Sequence, residues 1–266
     1  MYVVKMGGAS GIDFEKLCED VASLWRDRVR LVLVHGGSNE TNQLAERLNT
    51  PQRFVTSVSG HTSRVTDRET LHIFSMATAA INRRLVERLQ SLGVNAFGLS
   101  GLDGRLIEAR RKEAIRVIEN GRQRVIRDDW TGTPERVNAG LLLSLLDSGY
   151  LPVVAPLGIS PAGEMLNVDG DRAAAAIARS LRAEVLLLLT NVPGLLRNYP
   201  DEDTLVRSVR RDELESASTL AEGRMRKKIM GAAEALAGGV ARVVIADGRR
   251  TAPLSTALSG EGTVIE

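Results

Sequence analysis

Lys5 ends a short apolar run, Tyr2-Val-Val-Lys5, and Gly7-Gly8 follows almost at once. A lysine at the end of a buried strand, beside a glycine turn, is placed to meet a phosphate. The same lysine can equally snorkel its ammonium to solvent along its own apolar stem. Two more glycine turns follow apolar runs: Gly36-Gly37 after Leu31-Val-Leu-Val34, and Gly98 with Gly101 after Val94. Glycine lets backbone approach a ligand closely, and the helix N-terminus behind such a turn favours an anion. One pair alone reads as a tight structural turn. Three at the carboxyl edge of one sheet point to a phosphate site. Neither GxxxxGK[ST] nor GxGxxG occurs, so no P-loop or dinucleotide fingerprint is present.

Further along, Asn167-Val-Asp-Gly-Asp171 lies between an apolar run and an alanine-rich stretch. Asp169 or Asp171 either caps the helix that follows or supplies an acidic group to lysines or magnesium. Lys227-Lys228 opens another helical stretch, where cations oppose the helix dipole unless an anion is bound. Lysine stands only at 5, 16, 112, 227 and 228, although Lys and Arg together number 35. Each lysine is therefore informative. His35, His61 and His72 form no ligand spacing with Cys18, so zinc is not indicated, and His35 is expected to pack behind its glycine turn. Ser100 lacks a GxSxG setting, and no nucleophile triad can be assembled.

These residues must be held by alternating elements. Strands are expected at Tyr2–Lys5, Leu31–Val34, Val94–Gly98, Leu151–Ala155, Glu184–Leu189, Ala241–Ile245 and Gly262–Ile265. Helices are expected at Asp13–Arg28, Asn39–Asn49, Gly170–Leu181 and Gly223–Ala237. Thr66-Asp-Arg-Glu69 reads as a capping box opening a long helix to Leu92. Pro134 reads as a first-turn residue of a helix ending near Gly149. Residues 104–127 read as β-hairpins, with Asn120-Gly121 as a turn. Glu184–Leu189 is continuously apolar, as in parallel sheets covered on both faces. The fold expected is α/β: an open, mostly parallel central sheet between helix layers, an αβα sandwich. Two lobes sharing that sheet are expected, residues 1–170 and 171–266.

Composition narrows the rest. The chain has 266 residues, 43% hydrophobic and 26% charged, which is globular and large enough for a generous core. A lone cysteine excludes an intrachain disulfide and fits a reducing compartment. The first residues lack the apolar stretch of a secretory signal, and no apolar run is long enough to span a bilayer. A cytoplasmic protein with no membrane partner is expected. Formal charge is +2 and aromatics are 3%, which argues against a nucleic-acid partner.

The ordered set Lys5-Met-Gly-Gly8, His35-Gly-Gly37, Ser63-Arg-Val-Thr-Asp67, Gly98-Leu-Ser-Gly-Leu-Asp-Gly104, Asn167-Val-Asp-Gly-Asp171, Asn191-Val-Pro-Gly194 and Gly223 to Lys228 resembles the amino acid kinase family over nearly the whole chain. Within it the chain is similar to the acetylglutamate kinases. It is most similar to their lysine-biosynthesis branch, whose substrate is 2-aminoadipate joined through its amino group to a small acidic carrier protein. Gly101-Leu-Asp-Gly-Arg105, Arg127-Asp-Asp-Trp-Thr-Gly132 and Leu258-Ser-Gly-Glu-Gly262 carry the branch resemblance. Ser38 replaces a third glycine usual after the His-Gly-Gly turn.

The resemblance implies that Lys5 and Lys228 stabilise the transferred phosphoryl group and Asp171 orients them. It implies backbone N–H donors at Gly8, Gly36 and Gly37, a substrate carboxylate on Arg64, and Asn167 as a further substrate contact. It places ATP on the loop Asn191, Val192, Pro193, Gly194, Leu195 and Leu196, with Mg²⁺ held mainly by the ATP phosphates and no protein metal site. It also implies a homodimer built on the N-terminal lobe. The runner-up activity is N-acetylglutamate phosphorylation, and action on carrier-bound glutamate also stays open. The basic segment 105–127, including Arg110, Arg111 and Lys112, is expected to dock the acidic carrier.

Overall fold

The computed structural model describes residues 1–8, 11–57, 62–119, 122–221 and 223–266, without the side chain of Arg224. The expected turn at Asn120-Gly121 and His61 lie outside the described residues.

The chain begins β1 (Tyr2–Met6), α1 (Phe14–Arg26), β2 (Leu31–His35) and α2 (Ser38–Arg47). A short hairpin, β3 (Phe54–Ser57) and β4 (Thr62–Arg64), precedes the long α3 (Arg68–Ser91) and β5 (Ala96–Ser100). Then come β6 (Ile107–Arg111), β7 (Ile115–Glu119), β8 (Arg122–Ile126), β9 (Thr131–Val137) and α4 (Ala139–Asp147). β10 (Leu151–Ala155), β11 (Leu157–Ile159) and β12 (Met165–Val168) lead to α5 (Gly170–Ser180) and β13 (Val185–Thr190). The chain closes with β14 (Ser208–Val209), α6 (Leu214–Leu220), α7 (Gly223–Ala237), β15 (Arg242–Asp247), α8 (Pro253–Leu258) and β16 (Thr263–Ile265).

One eight-stranded sheet runs β14-β16-β15-β13-β1-β2-β10-β5. Its pairs are parallel except β15 with β16. The two halves of the chain meet where β1 lies beside β13, with Lys5 level with Leu188. Side chains alternate between two cores, as strand geometry requires. Val3, Val32, Leu186, Leu188 and Val243 pack with α5 and α7 on one face. Val4, Leu31, Leu187, Leu189 and Val244 pack with α1, α3 and α8 on the other. The expected αβα sandwich is therefore present.

Smaller β structures flank it. β11-β12-β9-β6 close into a barrel, and β4-β3-β7-β8 form a separate sheet. The segment 104–127 is thus divided. β6 belongs to the barrel, and only β7–β8 is a hairpin. Pro134 lies in β9, not at a helix start. There β9 has passed its last partner on β12, Gly132 to Val168, and faces β6 alone where the register shifts between Glu108 and Ala109. A proline is tolerated at such an irregularity because no ladder bond is lost on its open side. Asn138, whose side chain accepts from the Leu141 N–H, caps α4 instead. Asp67, not Thr66, caps α3, accepting from the Thr70 N–H.

Candidate active site

Lys5, Asp171 and Lys228 arrive from three elements and meet. Lys5 stands one residue from the carboxyl end of β1. Asp171 sits in the first turn of α5, whose cap is Asp169 accepting from the Asp171 and Arg172 N–H groups. Asp169 takes the capping role, which leaves Asp171 for the lysines. Lys228 projects from α7, which packs on α5.

Lys5 Nζ is 2.8 Å from Asp171 Oδ1. Lys228 Nζ donates to both carboxylate oxygens, at 3.1 and 2.9 Å. All three residues are buried, at 6 to 7% exposure. Burial alone would raise the Asp171 pKa, but the two ammonium groups outweigh it and hold the carboxyl far below the usual range. Burial pushes the Lys228 ammonium below its usual value, and Lys5 adds to that while Asp171 opposes it. One carboxylate faces two ammonium groups, so a positive charge is left in excess at a buried point. Such a centre is built for an anion.

Two glycine turns face each other beside this triad. A methyl on Gly36 would lie 2.6 Å from the Gly8 nitrogen, and one on Gly8 2.7 Å from the Gly37 nitrogen. Backbone fills both directions, so only glycine fits. The Asn39 N–H donates to the Gly8 carbonyl at 3.0 Å, coupling the turns through α2. The Gly36 N–H donates to the Met6 carbonyl at 3.0 Å, so Gly36 permits close approach while its own amide completes the sheet edge.

Behind the second turn, His35 is fully buried. Asn82 Nδ2 contacts His35 Nε2 at 3.2 Å and donates to the Val153 carbonyl at 2.8 Å. With Nε2 accepting, Nδ1 carries the proton and meets the Gly36 carbonyl at 3.0 Å. Burial lowers the His35 pKa to about 4, with Lys5 adding to the shift and the Gly36 hydrogen bond opposing it. His35 is therefore a neutral prop under the turn. Asn82 gave no signal in the sequence, because a polar residue in a long helix reads as solvated.

Arg64 reaches the same turn. Its guanidinium bonds the Ser38 carbonyl at 3.2 Å and Asn42 Oδ1 at 2.6 Å, contacts Gln52, and lies over the Phe54 ring. Asn167 Nδ2 donates to Thr66 Oγ1 at 3.0 Å. Asp129, fully buried, organises this side: it accepts from the Thr66 N–H and from Thr131. Trp130 is held between the guanidiniums of Arg68 and Arg111, 3.2 and 3.4 Å from its ring centre, and its carbonyl accepts from the Asn167 N–H. The 127–132 motif is thus a scaffold for Thr66 and Asn167, a role its residues did not reveal in sequence.

The expected loop 191–196 divides. Leu195 and Leu196 are buried in the core, and the Leu195 N–H donates to Thr263 Oγ1 at 2.8 Å. Gly194 is needed because a methyl there would meet that same Oγ1 at 2.5 Å. Pro193 lines a cleft of about 310 Å³ with Leu205, Asp247, Arg250, Thr256 and Gly262. Among the described residues no group of three or more His, Cys, Asp or Glu could hold a metal, and no helix is long and apolar enough to cross a membrane.

The side chains of the basic triplet 110–112 take different partners. Arg110 pairs with Glu135 at 2.6 Å, and Arg111 lies on Trp130 and donates to the Asp129 carbonyl. Lys112 is exposed just past β6, and its backbone N–H donates to the Thr131 carbonyl at 3.0 Å. Lys227 lies 4.0 Å from Asp169, beside the Lys228–Asp171 pair.

The family model described as "Amino acid kinase family" matches residues 1–247. This chain belongs to the amino acid kinase family. Among curated relatives it is 57% identical over 266 residues to a [LysW]-aminoadipate kinase of Deinococcus radiodurans, covering all of this chain and 91% of that one. It is 54% identical to the [LysW]-aminoadipate kinase of Thermus thermophilus, with full coverage of both. It is 40% identical, again end to end, to an acetylglutamate kinase of Methanopyrus kandleri. Among solved structures it resembles N-acetylglutamate synthase of Neisseria gonorrhoeae with coenzyme A and N-acetylglutamate, at TM-score 0.80 and 29% identity, over 99% of this chain and 58% of that longer one. A kinase and a synthase thus share the fold, and the chemistry must be argued from the site.

Proposed function

We propose that this chain transfers the γ-phosphoryl group of ATP to the side-chain carboxylate of 2-aminoadipate carried on a LysW-type protein, in lysine biosynthesis. The single observation that carries phosphoryl transfer is the buried Lys5–Asp171–Lys228 triad with its excess positive charge. The acceptor is favoured by two relatives at 57 and 54% identity, both named for it.

The chemistry needs little else. A carboxylate is ionised at neutral pH and requires no general base. One of its oxygens forms a bond to the γ-phosphorus as the bond from that phosphorus to the β–γ bridging oxygen breaks. ADP leaves with that electron pair, and an acyl phosphate remains. Lys5 and Lys228 neutralise charge on the moving group, Asp171 fixes both, and the turns at Gly8 and Gly37 admit the phosphates closely. Arg64 and Asn167 hold the acceptor. Both oxygens of Asp171 are committed to lysines, so Mg²⁺ is best held by the ATP phosphates, where it would neutralise charge. In this reading residues 1–170 hold the acceptor, residues 171–266 hold ATP over the loop from Asn191, and the protein is a cytoplasmic homodimer.

Hydroxylamine trapping of the acyl phosphate tests the acceptor. Purified protein, ATP and Mg²⁺ should give hydroxamate with LysW-bound aminoadipate at a kcat/KM well above that with free N-acetylglutamate. Equal values would shift the reading to arginine biosynthesis. LysW-bound glutamate in a third arm measures the breadth of the site.

A further inference from the structure

One face of the β4-β3-β7-β8 sheet is packed, with Val55, Val65 and Val117 buried. Its register puts Phe54, Thr56, Arg64, Arg116, Ile118, Gln123 and Val125 on the opposite face. Phe54, Ile118 and Val125 are 49, 44 and 53% exposed there. Three large apolar side chains on one sheet face, left open to water, mark an interaction surface.

The charges beside it are one-sided. Glu119 is shared between Arg53 at 2.5 Å and Arg124 at 3.8 Å. Among the described residues Arg116, Arg122 and Arg127 have no ion-pair partner. Elsewhere the exposed arginines of this region are matched: Arg110 by Glu135, and Arg105 and Arg136 by Glu108. Of the unmatched arginines, Arg116 lies on the apolar face beside Val125 and Arg127 follows the end of β8, while Arg122 lies opposite Glu119 in the strand register, on the packed side.

That face also leads to the active site. Phe54 pairs across the sheet with Arg64, whose guanidinium lies 4.9 Å from the Phe54 ring centre and bonds the Ser38 carbonyl behind Gly36-Gly37. A protein seated on the sheet would send an appended side chain past Arg64 towards the triad.

We propose that this face is the docking surface for the protein that carries the acceptor, and that the partner meets it with an acidic rim around an apolar patch. This rests on the carrier-bound acceptor proposed above. It narrows the recognition surface from the whole segment 105–127 to the β7–β8 hairpin and the sheet that hairpin joins. Duplex DNA would meet the arginines but has no use for Ile118 and Val125, so a protein fits the face better. The arginines raise the association rate and the apolar centre slows release.

The test is steady-state kinetics with Deinococcus radiodurans LysW carrying aminoadipate, beside N-acetyl-2-aminoadipate as a carrier-free acceptor. Arg116→Glu/Val125→Asp should lower kcat/KM for the LysW-bound acceptor at least tenfold. The carrier-free reaction and ATP binding should stay within twofold, and added salt should weaken the wild type far more than the variant. The milder Arg116→Ser/Val125→Ser should show the same selectivity, which guards against misfolding of the first. Unchanged kcat/KM for LysW-bound acceptor in either folded variant would overturn the proposal. So would conversion of a wild-type dimer to monomer in sedimentation, which would assign the face to a second copy. Binding of a 20-base-pair DNA as tight as that of LysW, lost in the same variants, would also overturn it. If wild-type protein leaves LysW-bound aminoadipate untouched, the functional reading fails instead, a different and visible result.

Discussion

Lys228 Nζ donates to both oxygens of Asp171, at 3.1 and 2.9 Å, while Lys5 reaches Oδ1 of the same carboxylate at 2.8 Å. A single anion thus fixes two cations delivered by β1 and α7. Breaking one partner of a buried ion pair costs about 3–5 kcal/mol, because a charge is left uncompensated. Asp171→Asn should therefore lower both the unfolding midpoint in urea and kcat, with the lysines repelling each other. Wild-type kcat in a folded Asp171→Asn protein would show that the carboxylate does not orient them.

The pH profile follows from the same groups. Lys228 is pushed below the usual 10.5 by burial, so its ammonium is lost earlier than that of an ordinary lysine as pH rises. The rate kcat should fall on the alkaline side before pH 10.5, with no histidine step between pH 6 and 8. An inflection near 6.5 that vanishes in His35→Gln would contradict the neutral-prop role.

His35 also links pH to stability. Its pKa is about 4 in the folded protein against 6.5 when solvated. Between these values the unfolded chain binds the extra proton, so stability is complete above about 6.5 and declines as pH falls towards 4. The full effect is about 3 kcal/mol. Urea unfolding at pH 4.5 and 7.5 should show a smaller pH difference for His35→Gln than for wild type. Equal differences would remove His35 from the account.

Gly36 and Gly140 make a matched pair of alanine tests. A methyl at Gly36 meets the Gly8 backbone at 2.6 Å, whereas one at Gly140 finds only Asn138 Oδ1 at 3.6 Å. Gly36→Ala should lower kcat/KM at least a hundredfold, and Gly140→Ala should be near wild type in activity and melting temperature. A fully active Gly36→Ala would mean that the two turns need not touch.

Arg64 should report on the acceptor alone. Arg64→Ala should raise KM for the acceptor tenfold or more while ATP affinity, read by titration calorimetry, stays within threefold. Arg64→Lys should rescue only partly, since a lysine lacks the planar fork. Equal loss of ATP affinity would move Arg64 out of the acceptor site.

The central sheet was legible because parallel buried strands such as Val185–Leu189 are continuous apolar runs ending in glycine turns. Lys5, Asp171 and Lys228 could be named because their types are rare or charged at element ends. That they touch could not be read, since Lys5 and Asp171 lie 166 positions apart and meet only where α5 packs on β1. The barrel was missed because β11 and β12 are three and four residues long, too short for a period to emerge. Pro134 misled for a local reason: its irregular, one-sided strand tolerates a proline as well as a helix start does. Asn82, Asp129 and Trp130 were unreadable as supports because each reaches a backbone group far away in sequence: Val153 and Leu99 for Asn82, Thr66 for Asp129 and Asn167 for Trp130.

Single-turnover phosphoryl transfer by Lys5→Ala and Lys228→Ala tests the triad most directly. Removing one preorganised stabilising donor typically costs about 3–4 kcal/mol, a hundredfold to a thousandfold in rate. Each variant, mixed with ATP, Mg²⁺ and saturating LysW-bound aminoadipate, should form acyl phosphate on the order of a hundredfold to a thousandfold more slowly than wild type. Acceptor affinity should change little. A rate within twofold of wild type in either folded variant would contradict the assignment of the Lys5–Asp171–Lys228 cluster as the phosphoryl-transfer centre.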